Sequence, residues 1–166
     1  MEKGCSFTGH RTIVPQHQRA LTDLVDRAIA YAYGEGCRAF YAGGAIGFDT
    51  LAAQRVRIFR DNHSDVRLIL LLPCLGQEEH WSWGQRMAYE GLLRAADEVV
   101  YVSETYTRDC MRRRNLALVE RADILIAYCS RIQSGSGQTL SMAKKKGIDT
   151  FNLYFAAEQQ SGGIAP

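Results

Sequence analysis

Between residues 66 and 72 the chain reads Val-Arg-Leu-Ile-Leu-Leu-Leu, with one charged side chain and no polar alternation, and Pro73 stops the run. A strand with one wet face alternates polar and apolar residues. A nearly continuous apolar strand is instead what a central parallel strand shows when both of its faces are covered. The rest of the chain supplies the cover by alternating strand-like and helix-like stretches. Residues 4–8 read as a first strand. Leu21, Leu24, Val25, Ala28, Ile29 and Ala32 then fall on one helical face, which predicts a helix over 16–33 with Pro15 in its first turn. A second strand over 38–42 leads to a helix whose face carries Phe48, Leu51, Ala52, Arg55, Val56 and Phe59, all apolar but Arg55. Further along, the pattern predicts a helix-rich segment over 78–96, a strand over 98–103 and a helix over 109–121. It closes with a strand over 123–128, a helix over 140–146 and a last strand over 150–154. This order predicts an α/β fold, a three-layer sandwich around a mostly parallel central sheet. One domain is expected over 1–157, with a disordered tail over 158–166.

Composition narrows the function classes. The 166 residues suit one domain, and 20 basic against 18 acidic side chains leave a net charge of +2, too small for a strongly cationic nucleic-acid clamp. Unbroken apolar stretches such as 68–72 are far below the ~18 residues of a membrane span, and the first residues predict no signal peptide. A cytoplasmic protein with no membrane partner is expected. Cys5, Cys37, Cys74, Cys110 and Cys129 are odd in number and never paired as Cys-x-x-Cys, which predicts reduced, mostly buried thiols and neither a zinc site nor a disulfide frame. No metal and no cofactor are expected.

In a parallel α/β sheet, ligands bind beyond the carboxyl ends of the strands. After the first strand stand Thr8, Gly9, His10 and Arg11: a hydroxyl, a glycine that lets backbone come close, an imidazole and a permanent cation. The second strand ends in Gly43-Gly44-Ala45-Ile46-Gly47-Phe48-Asp49 and opens into a helix. Such a turn offers free amides and the positive end of a helix dipole to a phosphate or carboxylate. It is neither a Walker A loop nor a dinucleotide G-x-G-x-x-G fingerprint. Asp49 is a candidate acceptor for a ribose diol, or else a helix cap worth about 1 kcal/mol. After the fifth strand, Ser134-Gly135-Ser136-Gly137-Gln138-Thr139 forms a second candidate anion cradle. Arg112-Arg113-Arg114-Asn115 opens a helix, where cations oppose the dipole, so a nearby anion or a solvated basic face would account for them. Trp81, Trp83 and Tyr89 suit a base platform or, more commonly, a core. His17, His63 and His80 carry no assigned role, and Lys144, Lys145 and Lys146 fit a helix C-terminus.

Taken in order, Phe7-Thr8-Gly9-His10-Arg11, Gly43-Gly44-Ala45-Ile46-Gly47-Phe48-Asp49 with Ala52-Ala53, Pro73 with Trp81, Arg114-Asn115, and residues 122–127 resemble the YpsA-like branch of the SLOG superfamily. The resemblance spans roughly residues 4–154. That superfamily includes the Lonely Guy phosphoribohydrolases, the DNA-processing protein A family, and sensor domains proposed to bind nucleotides or nucleotide-derived signals. The resemblance implies a pocket for a nucleotide-like small molecule built from Thr8, Gly9, His10 and Arg11, from Gly43, Gly44, Gly47 and Asp49, from Arg114 and Asn115, and from Gly135, Ser136, Gly137 and Thr139. Related folds often pair, so a homodimer is compatible with it. Two departures matter. Gln138 stands where the family pattern has a second glycine. The glutamate of the Lonely Guy motif Pro-Gly-Gly-x-Gly-Thr-x-x-Glu has no counterpart after Thr139, where the chain reads Leu140-Ser141-Met142. Cleavage of an N-glycosidic bond needs a carboxylate to activate water or steady the developing cation, and only Asp49 or Glu104 offers itself. The expectation is therefore a module of sensor type that binds a nucleotide or nucleotide-derived small molecule. A nucleoside-monophosphate N-glycoside hydrolase is the alternative, and single-stranded DNA binding, disfavoured by the charge, is the third reading.

Overall fold

A computed structural model describes residues 2–162 of the chain. Six strands, β1 (Lys3–Gly9), β2 (Cys37–Ala42), β3 (Arg67–Leu72), β4 (Glu98–Tyr101), β5 (Ile124–Tyr128) and β6 (Asp149–Asn152), form one sheet in the order β4-β3-β2-β1-β5-β6. Every neighbouring pair is parallel. The apolar run of 66–72 is accordingly buried from Leu68 to Leu72.

The connections are α1 (Gln18–Gly34), α2 (Phe48–Arg60), α3 (Trp83–Ala95), α4 (Cys110–Glu120) and α5 (Gly135–Lys145), and α6 (Tyr154–Gly162) follows the last strand. Leu21, Val25, Ile29 and Ala32 of α1 and Leu51, Ala52 and Val56 of α2 join Cys5, Phe7, Phe40, Leu68, Leu70 and Ile126 in the larger core. On the opposite face α4 and α5 bury Leu118, Val119, Leu140 and Ala143 against Ile69, Leu71, Leu125 and Ala127. The result is a three-layer α/β sandwich of Rossmann-like type. All five cysteines are free and buried. Among the described residues, no helix is long and apolar enough to cross a membrane.

The boundaries differ from the sequence reading in three places. The segment expected to be helical from residue 78 consists of turns until Trp83, because Ser82 and Gln85 form a reciprocal capping box that fixes the start of α3. Helix α5 begins at Gly135, five residues before residue 140. Ser134 caps it by accepting from the Gly137 amide at 3.0 Å. Helix α6 continues through Gly162, well into the expected tail, with Ala157 buried in the main core; residues 163–166 lie outside the described residues.

Sheet order fixes where a ligand can go. From β1 the chain moves outward through β2, β3 and β4, then crosses back to place β5 and β6 on the other side of β1. The loops that follow β1 and β5 therefore diverge at the sheet's switch point and leave a crevice between them.

Candidate functional site

Backbone hydrogen bonds sew the two diverging loops to the start of α2. The His10 amide donates to the Tyr128 carbonyl, and the Phe48 amide donates to the His10 carbonyl, both at 3.1 Å. Across the sheet from α2, α4 is held over β1 by Ser6 Oγ, which donates to the Leu118 carbonyl at 2.7 Å. Between these elements lies a cavity of about 600 Å³, a size typical of small-molecule sites.

Of the residues that the sequence reading singled out, Thr8, Gly9, His10, Arg11, Asp49, Arg114, Asn115, Gly135 and Ser136 line this cavity. Gly43, Gly44, Gly47, Gly137 and Thr139 do not, and the reason is packing. A Cβ on Gly43 would sit 2.7 Å from Arg114 Nη1 and 2.9 Å from Asp49 Oδ2, so the bare backbone makes room for those two side chains. Gly44 has a φ of +74°, and its Cβ would collide with Leu72 Cδ2. Gly47, at φ +82°, lies against the Arg11 carbonyl, where a Cβ cannot fit. Gly137 is pressed on the Ile132 carbonyl, and Thr139 is fully buried with its hydroxyl donating to the Gly135 carbonyl at 3.0 Å. In the turn after β2, therefore, Ala45 and Asp49 line the cavity while the three glycines face the protein's own atoms. Its free space is filled by the protein's own side chains, and the Phe48 amide is taken by His10.

The start of α5 presents a different picture. Ser134 satisfies the Gly137 amide and donates to the Arg131 carbonyl at 2.6 Å. The amides of Gly135 and Ser136, in the first turn of the helix, have no place in the helical ladder and line the cavity. Arg131, whose charge acts on His10, stands at the same end, and Arg11, whose charge acts on Asp49 and Arg114, lines the cavity towards the other. His10 bridges the two loops. The Ser130 amide donates to its Nε2 at 2.8 Å, so Nε2 carries the lone pair and Nδ1 the proton, directed to Ser136 Oγ at 3.3 Å. Burial, and secondarily the Arg131 charge, holds the His10 pKa below its ordinary value, which keeps this neutral tautomer. Ser134→Ala is expected to cost about 1 kcal/mol in urea denaturation through the lost helix cap.

At the other end stand two buried ionisable groups. Arg114 is 7% exposed; its Nη1 donates to the Gly43 carbonyl and its Nε to Asn115 Oδ1 at 2.8 Å. Burial pulls its pKa down, and Asp49 is the leading charge acting the other way. Asp49 is 5% exposed. Oδ2 accepts from the Ala45 amide at 3.2 Å, while Oδ1 is buried with no partner. Burial pushes the carboxyl up to about 6, against the opposing pull of Arg114, the Ala45 amide and Arg11. Among the described residues, no group of histidine, cysteine, aspartate or glutamate side chains could hold a metal ion.

Several lining residues had escaped the sequence reading, among them Met111, Leu118 and Gln77. Met111 and Leu118 join Arg114 and Asn115 on one face of α4, at spacings of three, four and seven residues. That periodicity was available in the sequence and identifies which arginine of the Arg112–Arg114 run turns inward; Arg112 and Arg113 stay exposed. Gln77, on the loop after β3, carried no glycine or charge to mark it. Tyr89 is buried with Trp81 packed on it at 5.2 Å, whereas Trp83 is 76% exposed, so none of the three lines the cavity as a base platform.

A family model described as the YspA SLOG family matches residues 15–155. The SPbeta prophage-derived protein YoqJ of Bacillus subtilis (strain 168) is 29% identical over 118 residues, covering 64% of this chain and 69% of YoqJ. A UPF0398 protein of Bacillus cereus (strain B4264) is 30% identical over 116 residues, covering 68% of this chain; the match spans 63% of that relative's own length. Among solved structures, DNA processing protein A from Helicobacter pylori, described for its single-stranded DNA binding mode, superimposes with a TM-score of 0.62 at 16% identity over 99% of this chain and 74% of that one. At that identity the likeness speaks to the fold alone.

Proposed function

This chain belongs to the YspA SLOG family, and we propose that its cavity binds a nucleotide or nucleotide-derived small molecule as a sensor, phosphate at the start of α5 and sugar against Asp49 and Arg114. One observation carries the reading: Asp49 Oδ1 is buried in the cavity wall without a hydrogen-bond partner. An unsatisfied buried carboxylate oxygen costs free energy until a ligand supplies the missing donor. Ribose hydroxyls are donors of the right kind. The opposite end offers what a phosphate needs, the two first-turn amides of α5, its dipole and the Arg131 cation. On this reading Thr8, Gly9, His10, Arg11, Asp49, Arg114, Asn115, Gly135 and Ser136 contact or orient the ligand, whereas Gly43, Gly44, Gly47, Gly137 and Thr139 support them.

N-glycosidic hydrolysis is the second reading, favoured by the Asp49 carboxyl at about 6. A group that exchanges its proton near neutral pH suits general acid–base work. A panel of nucleoside mono- and diphosphates, read by thermal shift and by chromatography of released base, separates the two. Binding without base release supports the sensor, and stoichiometric release supports the hydrolase. A protein that ignores the panel but retards single-stranded DNA in a salt-dependent manner overturns both.

A further inference from the structure

Arg114 and Asp49 converge on the bare backbone of Gly43. The point that a Cβ there would occupy lies 2.7 Å from Arg114 Nη1 and 2.9 Å from Asp49 Oδ2. Among the described residues, the two nonetheless make no ion pair with each other. Each has spent part of its hydrogen-bonding capacity on the protein and kept the rest. On Arg114, Nη1 is taken by the Gly43 carbonyl and Nε by Asn115 Oδ1 at 2.8 Å, which leaves Nη2. Among the described residues, Nη2 meets only the Met111 thioether, at 3.9 Å, and such a sulfur is a weak acceptor. On Asp49, Oδ2 is taken by the Ala45 amide and Oδ1 has no partner. Both side chains line the cavity, and so does Met111. Buried charges ordinarily have their hydrogen bonds filled, so a strong donor and a strong acceptor left open on the walls of one cavity call for a third group between them.

That group has a defined chemistry: it must donate to a carboxylate and accept from a guanidinium. A phosphate dianion or a carboxylate only accepts, and it meets the Asp49 charge. An ammonium only donates, and it meets the Arg114 charge. A hydroxyl does both through one atom and carries no charge. We infer that Arg114 and Asp49 form a clamp for a single sugar hydroxyl, which donates to Asp49 Oδ1 and accepts from Arg114 Nη2, and that the Met111 thioether holds Nη2 until the hydroxyl displaces it. Met111 is suited to that exchange. It is unbranched, 39% exposed and three residues from Arg114 on the same face of α4, so its side chain can turn aside without moving the helix. The clamp selects ligands whose sugar hydroxyl is present and unsubstituted, because an analogue without it leaves both buried charges unpaired. The inference rests on the nucleotide reading, deepens its sugar end and is independent of the base.

The test titrates ribose 5-phosphate and its 2-deoxy and 3-deoxy analogues calorimetrically, up to millimolar concentration, into the native protein and Arg114→Lys. The same titrations are followed by the methionine methyl signals of the 13C-labelled native protein. The native protein is expected to bind ribose 5-phosphate about 10-fold or more tightly than one of the two deoxy analogues, the equivalent of one hydrogen bond to a charged group. Arg114→Lys keeps the charge but loses the Nη2 donor. It should weaken ribose 5-phosphate and leave that deoxy analogue nearly unchanged, so the preference collapses. The methyl signal that Met111→Leu removes from the spectrum should shift with ribose 5-phosphate and far less with the discriminated analogue. That readout uses the native protein and stands in should Arg114→Lys fail to fold. Equal binding of all three sugars, a preference that survives in Arg114→Lys, or a Met111 methyl that is silent or responds to all three alike overturns the inference and leaves the nucleotide reading standing. A native protein that binds none of the three overturns both.

Discussion

Asp49→Asn is expected to raise the stability of the ligand-free protein and to weaken nucleotide binding, two effects of opposite sign from one substitution. Burial lifts the Asp49 carboxyl from 3.8 to about 6. A group whose folded-state pKa is raised contributes stability that is present below its unfolded pKa and is lost as pH rises through the folded value. The ligand-free protein should therefore lose up to about 3 kcal/mol between about pH 4 and about pH 6 from this residue, and remain without it at neutral pH. A neutral amide escapes that loss, so denaturation at pH 7 should find Asp49→Asn more stable, with the gap closing towards pH 4. Binding moves the other way. Replacing the charged acceptor should cost about 1.5–3 kcal/mol of affinity for a ribonucleotide. In the native protein, affinity should be flat above about pH 7 and fall towards 10-fold weaker per unit below about pH 6, as the carboxylate takes up its proton. Arg114 and Arg11 are the cations facing Asp49. His10 at the far end gains charge only below its ordinary range and would favour a phosphate, so a decline in affinity with acid points to Asp49.

Gly43→Ala and Gly44→Val, one residue apart, are expected to fail in different ways. At Gly43 the backbone conformation is open to any residue, but the new methyl group would displace Arg114 and Asp49. The fold should survive, with a small change in melting temperature, and ligand affinity should fall by 10-fold or more through misplacement of the pair, about 1.4 kcal/mol or greater. At Gly44 a branched side chain meets both a φ of +74° and the Leu72 side chain in the main core. Strain at positive φ adds to overpacking, each worth about 1–3 kcal/mol, so Gly44→Val should be measurably destabilised in denaturant whether or not ligand is present. Reversed outcomes, a stable Gly44→Val that has lost binding and an unfolded Gly43→Ala, would return the turn after β2 to the ligand as an anion cradle.

Much of the fold is legible in the residues because its signals are long. The unbroken apolar run ending at Leu72 and the apolar stripe along the 17 residues of α1 each average over many side chains. The start of α5 was not, because it hangs on a single cap at Ser134 in a segment whose glycine and serine content argues against helix, and α3 was expected too early because the capping box of Ser82 and Gln85 lies inside a stretch that reads as helical. Helix α6 holds by Ala157 in the core, a tertiary contact that local composition does not announce. In the site, the polar residues after β1 and the Arg114-Asn115 pair were visible as chemistry at predicted element ends. The glycines misled for a physical reason. A bare backbone position signals close approach, but the sequence does not say whether a ligand or another side chain does the approaching. At Gly43, Gly44 and Gly47 it is Arg114 with Asp49, Leu72, and the Arg11 carbonyl. Gln77 was invisible because its place in the cavity wall is fixed by two hydrogen-bond partners, Gly44 and Tyr89, that only the tertiary structure brings to it.

The most direct test of a nucleotide site at the switch point is a titration of the 15N-labelled protein with a nucleoside monophosphate, followed amide by amide. The expected result is saturable shifts at Gly135 and Ser136 in the first turn of α5, with Ala45, whose amide donates to Asp49, moving at the same ligand concentration. Shifts confined to the amides of the turn after β2 with α5 silent, or no saturable shift at any amide lining the cavity, would contradict it.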